Sequence, residues 1–235
     1  MAYIEGYPGQ KTGHSAEKHI GLVIIVVVMM IGIMLYFAED WRGELPTILV
    51  IATAIIAVIL VVSYKINPLG WKKVFARSSY EKMMRLDRMV ADELDLLDDN
   101  YFIFHDMTFE LFHIENLVIS TRGVFVVAKI REKEPLHVEN DVLYAGDTPL
   151  DTLTGNIWRI CHLINIVYRK TYKEEMMPKP MLVVPEAETV ALGSFEKIAI
   201  IPLSRLKRTI ERDTKDIIRL EIAQSFAYYI KKRYA

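Results

Sequence analysis

This chain of 235 residues has a single cysteine and almost no net charge. The one cysteine, Cys161, excludes a disulfide within the chain and a metal site built from several cysteines, and it is typical of a reducing compartment. The 29 lysines and arginines nearly balance the 30 aspartates and glutamates, so the formal net charge is −1. No global positive field therefore points to a polyanionic partner.

Charged residues are also missing from two long apolar runs, residues 20–38 and 45–64. As a helix, each run would extend about 29 Å, which matches the hydrocarbon core of a bilayer. A buried core helix would usually be shorter, and a cleaved signal peptide would show a small-residue cleavage site, which "YFAEDW" lacks. The runs therefore predict two transmembrane helices joined by a short turn at 39–44.

Basic residues flank the two runs on the sides away from this turn. Because positively charged flanks stay in the cytoplasm, we expect an integral membrane protein with two spans, with both termini and the following domain cytoplasmic. Neither run carries an ionisable residue, which argues against a pore or a proton path. The predicted hairpin over 20–64 is therefore interpreted as an anchor in the lipid bilayer.

The remaining residues divide into a tail, a linker and one domain. Residues 1–19, rich in glycine, predict a mobile N-terminal tail, and residues 65–78, interrupted by Pro68 and Gly70, predict a juxtamembrane linker. In 79–235 the apolar spacing predicts a helix over 80–97, strands near 101–107, 111–120 and 124–130, a helix over 153–172, two short strands and closing helices over 204–211 and 214–233. This order predicts an α/β (α+β) domain.

Four segments of this domain resemble, in order, the nuclease-related domain (NERD) family. They read "LDRMVADELDLLDDNYFIFHDM", "IENLVISTRGVFVVAKI", "MLVVPEAETV" and "KIAIIPLSRLKRTI", and the similarity runs over residues 86–210. The resemblance implies a PD-(D/E)xK nuclease-like fold, that is, a restriction-endonuclease-like core, here preceded by the transmembrane hairpin.

The resemblance also implies a metal-dependent site. In the family, a helix glutamate, a strand aspartate and an E-x-K pair hold Mg²⁺ and position the attacking water. The two acids fall on Asp87 and Glu115 of this chain, whereas the E-x-K pair falls on Ala128 and Ile130. Because side chains alternate along a strand, Lys129 is expected to point away from Glu115 unless a bulge intervenes. Asp87 and Glu115 are thus remnant acids that would bind a metal only in an active site.

The missing pair favours a non-catalytic, nuclease-like module that binds or scaffolds another protein at the cytoplasmic membrane face, with no cofactor. A nucleic acid is a further candidate ligand. The alternative is an active, membrane-tethered DNA nuclease that depends on Mg²⁺ and has a rearranged site. A third class, a scaffolding subunit of a membrane complex, is not separated from the first by any residue, and the sequence leaves the oligomeric state open.

Two other patterns are assigned structural roles. His105 and His113 lie in strand patterns and are predicted to make local hydrogen bonds rather than to bind a metal. The segment "RLKRTIERDTKDIIR", residues 205–219, is predicted to form a helix pair with internal salt bridges rather than a patch for nucleic acid.

Overall fold

A computed structural model describes residues 2–37, 45–66, 71, 75, 77–132, 134–185, 192–214 and 217–234. The chain divides into two compact units, one made of Met1–Pro8 with Met84–Ala235 and the other of Gly9–Met83. The helices are α1 (Gln10–Phe37), α2 (Leu45–Ile66), α3 (Arg77–Asp95), α4 (Asp151–Tyr172), α5 (Leu206–Arg212) and α6 (Leu220–Tyr234). The strands are β1 (Tyr3–Glu5), β2 (Tyr101–Phe109), β3 (Phe112–Ser120), β4 (Gly123–Lys129), β5 (Leu136–Glu139), β6 (Val142–Ala145), β7 (Thr148–Pro149), β8 (Lys179–Val184), β9 (Ser194–Phe195) and β10 (Ile198–Pro202).

Helices α1 and α2 occupy the two long apolar runs. No helix in the described part of the chain combines the length and the apolar character needed to cross a membrane. The predictions of a transmembrane hairpin over 20–64 and of an integral membrane protein are therefore wrong. The predicted turn at 39–44 lies outside the described residues.

The larger unit is an α/β domain with a mixed sheet. Among the described residues, seven strands form this sheet in the order β1-β2-β3-β4-β8-β10-β9, and β5, β6 and β7 form a smaller antiparallel sheet. Strands β2, β3 and β4 are antiparallel neighbours, whereas β8 lies parallel to β4 and β10 lies parallel to β8. A chain segment that contains α4 connects the parallel pair β4 and β8, as a parallel crossover requires.

The hairpin of β3 and β4 confirms the predicted pairing of two antiparallel strands at Gly123. Ser120 pairs with Gly123 across the turn, and Gly123 has φ 116°, a conformation that glycine adopts without a side-chain clash. The hairpin is therefore fixed locally, by one residue with the conformational freedom that a tight turn needs.

The two faces of the sheet bury different sets of apolar side chains. Helices α4 and α6 cover one face, which includes Val126, Ala128 and Ile130. Helices α3 and α5 cover the other face, which includes Phe125 and Val127. Strand β4 thus lies at the centre of the domain, and its alternate residues face different helices.

The first eight residues are part of the sheet domain. Strand β1 pairs in parallel with β2, and Glu5 forms an ion pair with Lys231 of α6 at 3.0 Å. Helix α1 then begins at Gln10, within the residues for which a mobile tail is predicted. At the other end of the domain, the closing helix predicted from residue 214 begins at Leu220.

Candidate functional site

The structure brings Asp87, Glu115 and Lys129 together on the face of the sheet that α3 covers. The Lys129 Nζ atom contacts Asp87 Oδ1 and lies 2.9 Å from Glu115 Oε1. The Lys129 side chain is 4% exposed, and those of Asp87 and Glu115 are 10% and 24% exposed. The lysine and both acids therefore form one mostly buried ionic cluster.

Glu115 reaches this cluster because the alternation of side chains breaks at this point in β3. Regular alternation would put Ile114 and Leu117 on opposite faces, yet both are buried against the face that α4 covers. The break also appears in β2, where Asp106, opposite Glu115, has φ 50° and is skipped in the pairing. This local distortion turns the Glu115 carboxylate toward α3, as a bulge re-aims a side chain.

Lys129 lies on the face that simple alternation gives it. It follows Phe125 and Val127 along β4, and both of these side chains are buried under α3 and α5. Lys129 was expected to point away from Glu115 unless a bulge intervened. The distortion lies in β2 and β3, and it is Glu115 and not Lys129 that departs from the regular pattern.

Ala128 and Ile130 lie on the opposite face of β4. Both are buried in the apolar cluster under α4 and α6, so neither faces Asp87 or Glu115. The β4 positions that do face the two acids are Val127 and Lys129. A lysine is thus present at the site, and the position two residues before it is an apolar valine.

Further polar contacts hold the cluster in place. The backbone N–H of Lys129 donates to Glu115 Oε2 at 3.1 Å, so the carboxylate binds both the ammonium and the main chain. Arg131 Nη2 lies 3.7 Å from Asp87 Oδ2. Two carboxylates are therefore balanced by two cations, which offsets the cost of removing these charges from water.

A second polar network, centred on His105, fixes the end of α3 to the sheet. The His105 ring contacts Asn116 Oδ1 at 2.7 Å through Nδ1 and Asp95 Oδ1, at the end of α3, at 3.2 Å through Nε2. Asn116 Nδ2 in turn donates to the Val127 carbonyl oxygen at 3.4 Å. Asn116 was not among the predicted site residues. The sequence feature that could have identified it is its position as a second polar residue, next to Glu115, in an apolar strand.

His113 lies beside the distorted segment. Its Nδ1 atom is 3.4 Å from Asp106 Oδ1, across the β2–β3 pair. The contacts of His105 agree with the predicted local hydrogen bonding, and His113 has a polar contact within the same strand pair.

The donor set of the ionic cluster does not fit a Mg²⁺ ion. Mg²⁺ requires a near-octahedral set of oxygen ligands, and carboxylates must be free to provide some of them. Here one ammonium group engages both Asp87 and Glu115, and the adjoining β4 position is Val127. Within the described residues, no group of three or more histidine, cysteine, aspartate or glutamate side chains is arranged to hold a metal.

Comparisons with protein-family models, with curated proteins and with solved structures gave no match to this chain.

Proposed function

We propose that this chain is a non-catalytic, nuclease-related module that acts by binding another protein. The support for the family is the resemblance over residues 86–210 together with the order of elements: helix α3, antiparallel strands β2, β3 and β4, helix α4, and strand β8 parallel to β4. The support for a non-catalytic role is the chemistry of the ionic cluster.

The observation that carries the proposal is the position of the Lys129 ammonium group between the two acids. The ammonium group forms ion pairs with Asp87 and, at 2.9 Å, with Glu115, and the Lys129 side chain is almost fully removed from solvent. In a metal-dependent site, a divalent cation would neutralise such carboxylates. Lys129, a residue of the chain itself, neutralises the two carboxylates in place of a metal ion. The cluster therefore stabilises the packing of α3 on the sheet.

The residue two positions before Lys129 supports the same conclusion. If Lys129 takes the place of the lysine in an E-x-K pair, the glutamate of that pair would fall at position 127, where this chain has a valine. A fully buried valine offers no oxygen to a metal, and loss of one principal electrostatic group commonly lowers an enzymatic rate by about a hundredfold to a thousandfold. We therefore expect the purified chain to leave single- and double-stranded DNA intact in the presence of Mg²⁺ or Mn²⁺.

Substitution of Lys129 tests its role as a built-in counter-ion. Lys129→Met leaves two adjacent carboxylates without their main cation, which should lower the free energy of unfolding by about 3–5 kcal/mol. Because a divalent ion would then be the best available neutralising group, millimolar Mg²⁺ or Mn²⁺ should raise the Tm of this variant but not that of the wild type. Thermal unfolding with and without the metal measures both effects.

Lys179→Met is the matched control. Lys179 is also mostly buried, and its ammonium group contacts the Asp213 carboxylate at 2.8 Å and the Arg122 carbonyl oxygen at 3.1 Å. The Lys179→Met variant should be less stable than the wild type, and Mg²⁺ should not raise its Tm. Metal-dependent DNA cleavage by the wild type that is abolished in Glu115→Gln would overturn the proposal. An equal response of both methionine variants to Mg²⁺ would show that Lys129 has no special role.

A further inference from the structure

A basic groove lies on the outer side of α5, on the same face of the sheet as α3. Its volume is about 590 Å³, and it is lined by Arg205, Arg208, Thr209, Arg212, Asp213 and Thr214. Leu206 and Ile210 are fully buried against the sheet. The helical period therefore turns residues 205, 208 and 212 toward solvent, on one side of the helix.

The three arginines of this groove carry positive charges that the described part of the chain does not neutralise. All three are exposed, and none of their guanidinium groups forms an ion pair or a hydrogen bond with a described residue. The neighbouring acids are already engaged, since Glu211 pairs with Lys207 at 3.8 Å and Asp213 pairs with Lys179 at 2.8 Å. The prediction that this segment is held by internal salt bridges is therefore correct for Lys207 but not for the arginines.

Pairing of side chains within α5 does not account for this arrangement. Like charges three or four residues apart on a helix destabilise it by roughly 0.2–0.5 kcal/mol for each pair. Arg208 and Arg212 place one such spacing within the seven residues of α5, and Arg205 immediately precedes the helix. An anionic ligand would relieve this repulsion and would meet three guanidinium groups that already point in one direction.

We propose that the groove formed by Arg205, Arg208 and Arg212 binds an acidic, extended segment of another protein. This inference rests on the proposed function as a protein-binding module and names the chemistry of the partner. A guanidinium group donates two parallel hydrogen bonds to a carboxylate, which makes arginine better suited than lysine to such recognition. Alternate side chains of an extended peptide are about 6.7 Å apart, close to the roughly 5–6 Å between helix neighbours at these spacings.

The lining of the groove favours a peptide over a nucleic acid. Single-stranded nucleic acids are usually bound with aromatic side chains on which the bases stack, and none of the described residues that line this groove is aromatic. The chain as a whole has a net charge of −1, so it lacks the positive field that commonly drives binding to phosphate backbones.

Fluorescence anisotropy of labelled probes against the full chain tests the proposal. The probes are a peptide of alternating glutamate and serine, a peptide of alternating glutamine and serine, and an oligothymidine with the same charge as the acidic peptide. The acidic peptide should bind, with an affinity that falls as salt is added, whereas the glutamine peptide should not. The double variant Arg208→Glu, Arg212→Glu should weaken binding at least about tenfold, since charge-assisted hydrogen bonds are lost.

Arg159→Glu provides the matched control, because Arg159 is an exposed arginine on α4, on the opposite face of the sheet. This variant should bind the acidic peptide like the wild type, and all variants should keep the wild-type Tm because these side chains are exposed. The proposal is overturned if the acidic peptide does not bind, if Arg159→Glu weakens binding equally, or if oligothymidine binds more tightly than the peptide. The DNA cleavage and Mg²⁺ experiments on Lys129 are unaffected by these results, so the two proposals fail separately.

Discussion

At the scale of single residues, a few buried polar side chains decide how the domain is assembled. Lys129 is nearly inaccessible to solvent and is stabilised only because two carboxylates surround its ammonium group. Glu115 is available for this contact because Asp106 adopts a positive φ in the neighbouring strand. Cys161 is also buried, but among the described residues its thiol lies beside apolar side chains and not beside an opposite charge.

Cys161 should be inert in the folded protein. Cys161 lies on the buried side of α4, and this burial raises the pKa of its thiol to about 12, from an ordinary value of 9.0. Only the thiolate reacts with alkylating reagents, so iodoacetamide at mildly alkaline pH should modify the unfolded chain and leave the native chain intact. Mass spectrometry after a timed reaction, with and without urea, measures this protection. Rapid alkylation under native conditions would contradict the buried position.

The same pKa shift predicts how stability depends on pH. The raised value means that the folded state holds the thiol proton more tightly than the unfolded state does. The protonated Cys161 thiol therefore makes its full contribution to the free energy of unfolding below about pH 9. This contribution is lost as the pH rises from about 9 toward 12. The difference in unfolding free energy between wild type and Cys161→Ala, measured in urea, should be flat below pH 9 and fall above it.

At the scale of secondary-structure elements, the two faces of β4 have different functions. One face carries Lys129 into the ionic cluster, and the other packs Ala128 and Ile130 under α4 and α6. The register of the strand therefore determines whether a substituted residue reaches the acids or enters the apolar core. A shift of one residue exchanges the two faces, as it does in any strand with both sides buried.

The double variant Ala128→Glu, Ile130→Lys should lose stability and gain no nuclease activity. Both side chains would enter the apolar cluster opposite Asp87, where an uncompensated buried charge costs about 3–5 kcal/mol. Urea unfolding monitored by circular dichroism measures the loss, and a DNA cleavage assay with Mg²⁺ tests for activity. Restored cleavage would show that these two positions face the acids and that the assigned faces of β4 are incorrect.

At the scale of the whole molecule, the sheet domain is built from two separated parts of the chain. Residues 1–8 contribute β1 to the sheet, and Met84–Ala235 contribute the rest of the unit. The segment between them contains α1 and α2, which carry many exposed large apolar side chains, among them Leu22, Ile25 and Val58. Among the described residues, the apolar clusters on the two faces of the sheet are formed by side chains of the sheet domain itself.

Replacement of residues 10–76 by a flexible glycine-serine linker should leave the sheet domain folded, because α3 and β1 are both retained. Urea unfolding of this variant should be a single cooperative transition. Further deletion of residues 1–9 and the linker should destabilise the domain by about 1–3 kcal/mol, since it removes the backbone hydrogen bonds of β1 and the Glu5–Lys231 ion pair. Loss of cooperative unfolding in the linker variant would show that the domain depends on α1 or α2.

The sequence by itself determined the features that depend on near neighbours. Apolar spacing located α3 and the strands β2, β3 and β4, and Gly123 located the hairpin, because each pattern is set within a few residues. The resemblance to the NERD family pointed to Asp87 and Glu115 as acids of one candidate site. The two apolar runs, in contrast, led to a prediction of membrane spans that is wrong for the described chain.

Only the tertiary structure decided which side chains meet. The face of Glu115 depends on a positive φ at Asp106, in a different strand, and on the pairing that joins the two strands. The partners of Lys129 depend on how α3 packs over β4, and Asp213 beside the arginine groove is engaged by Lys179 of β8. Alternation along a strand is a local rule, and a distortion in a neighbouring strand changes its outcome in a way that no local pattern contains.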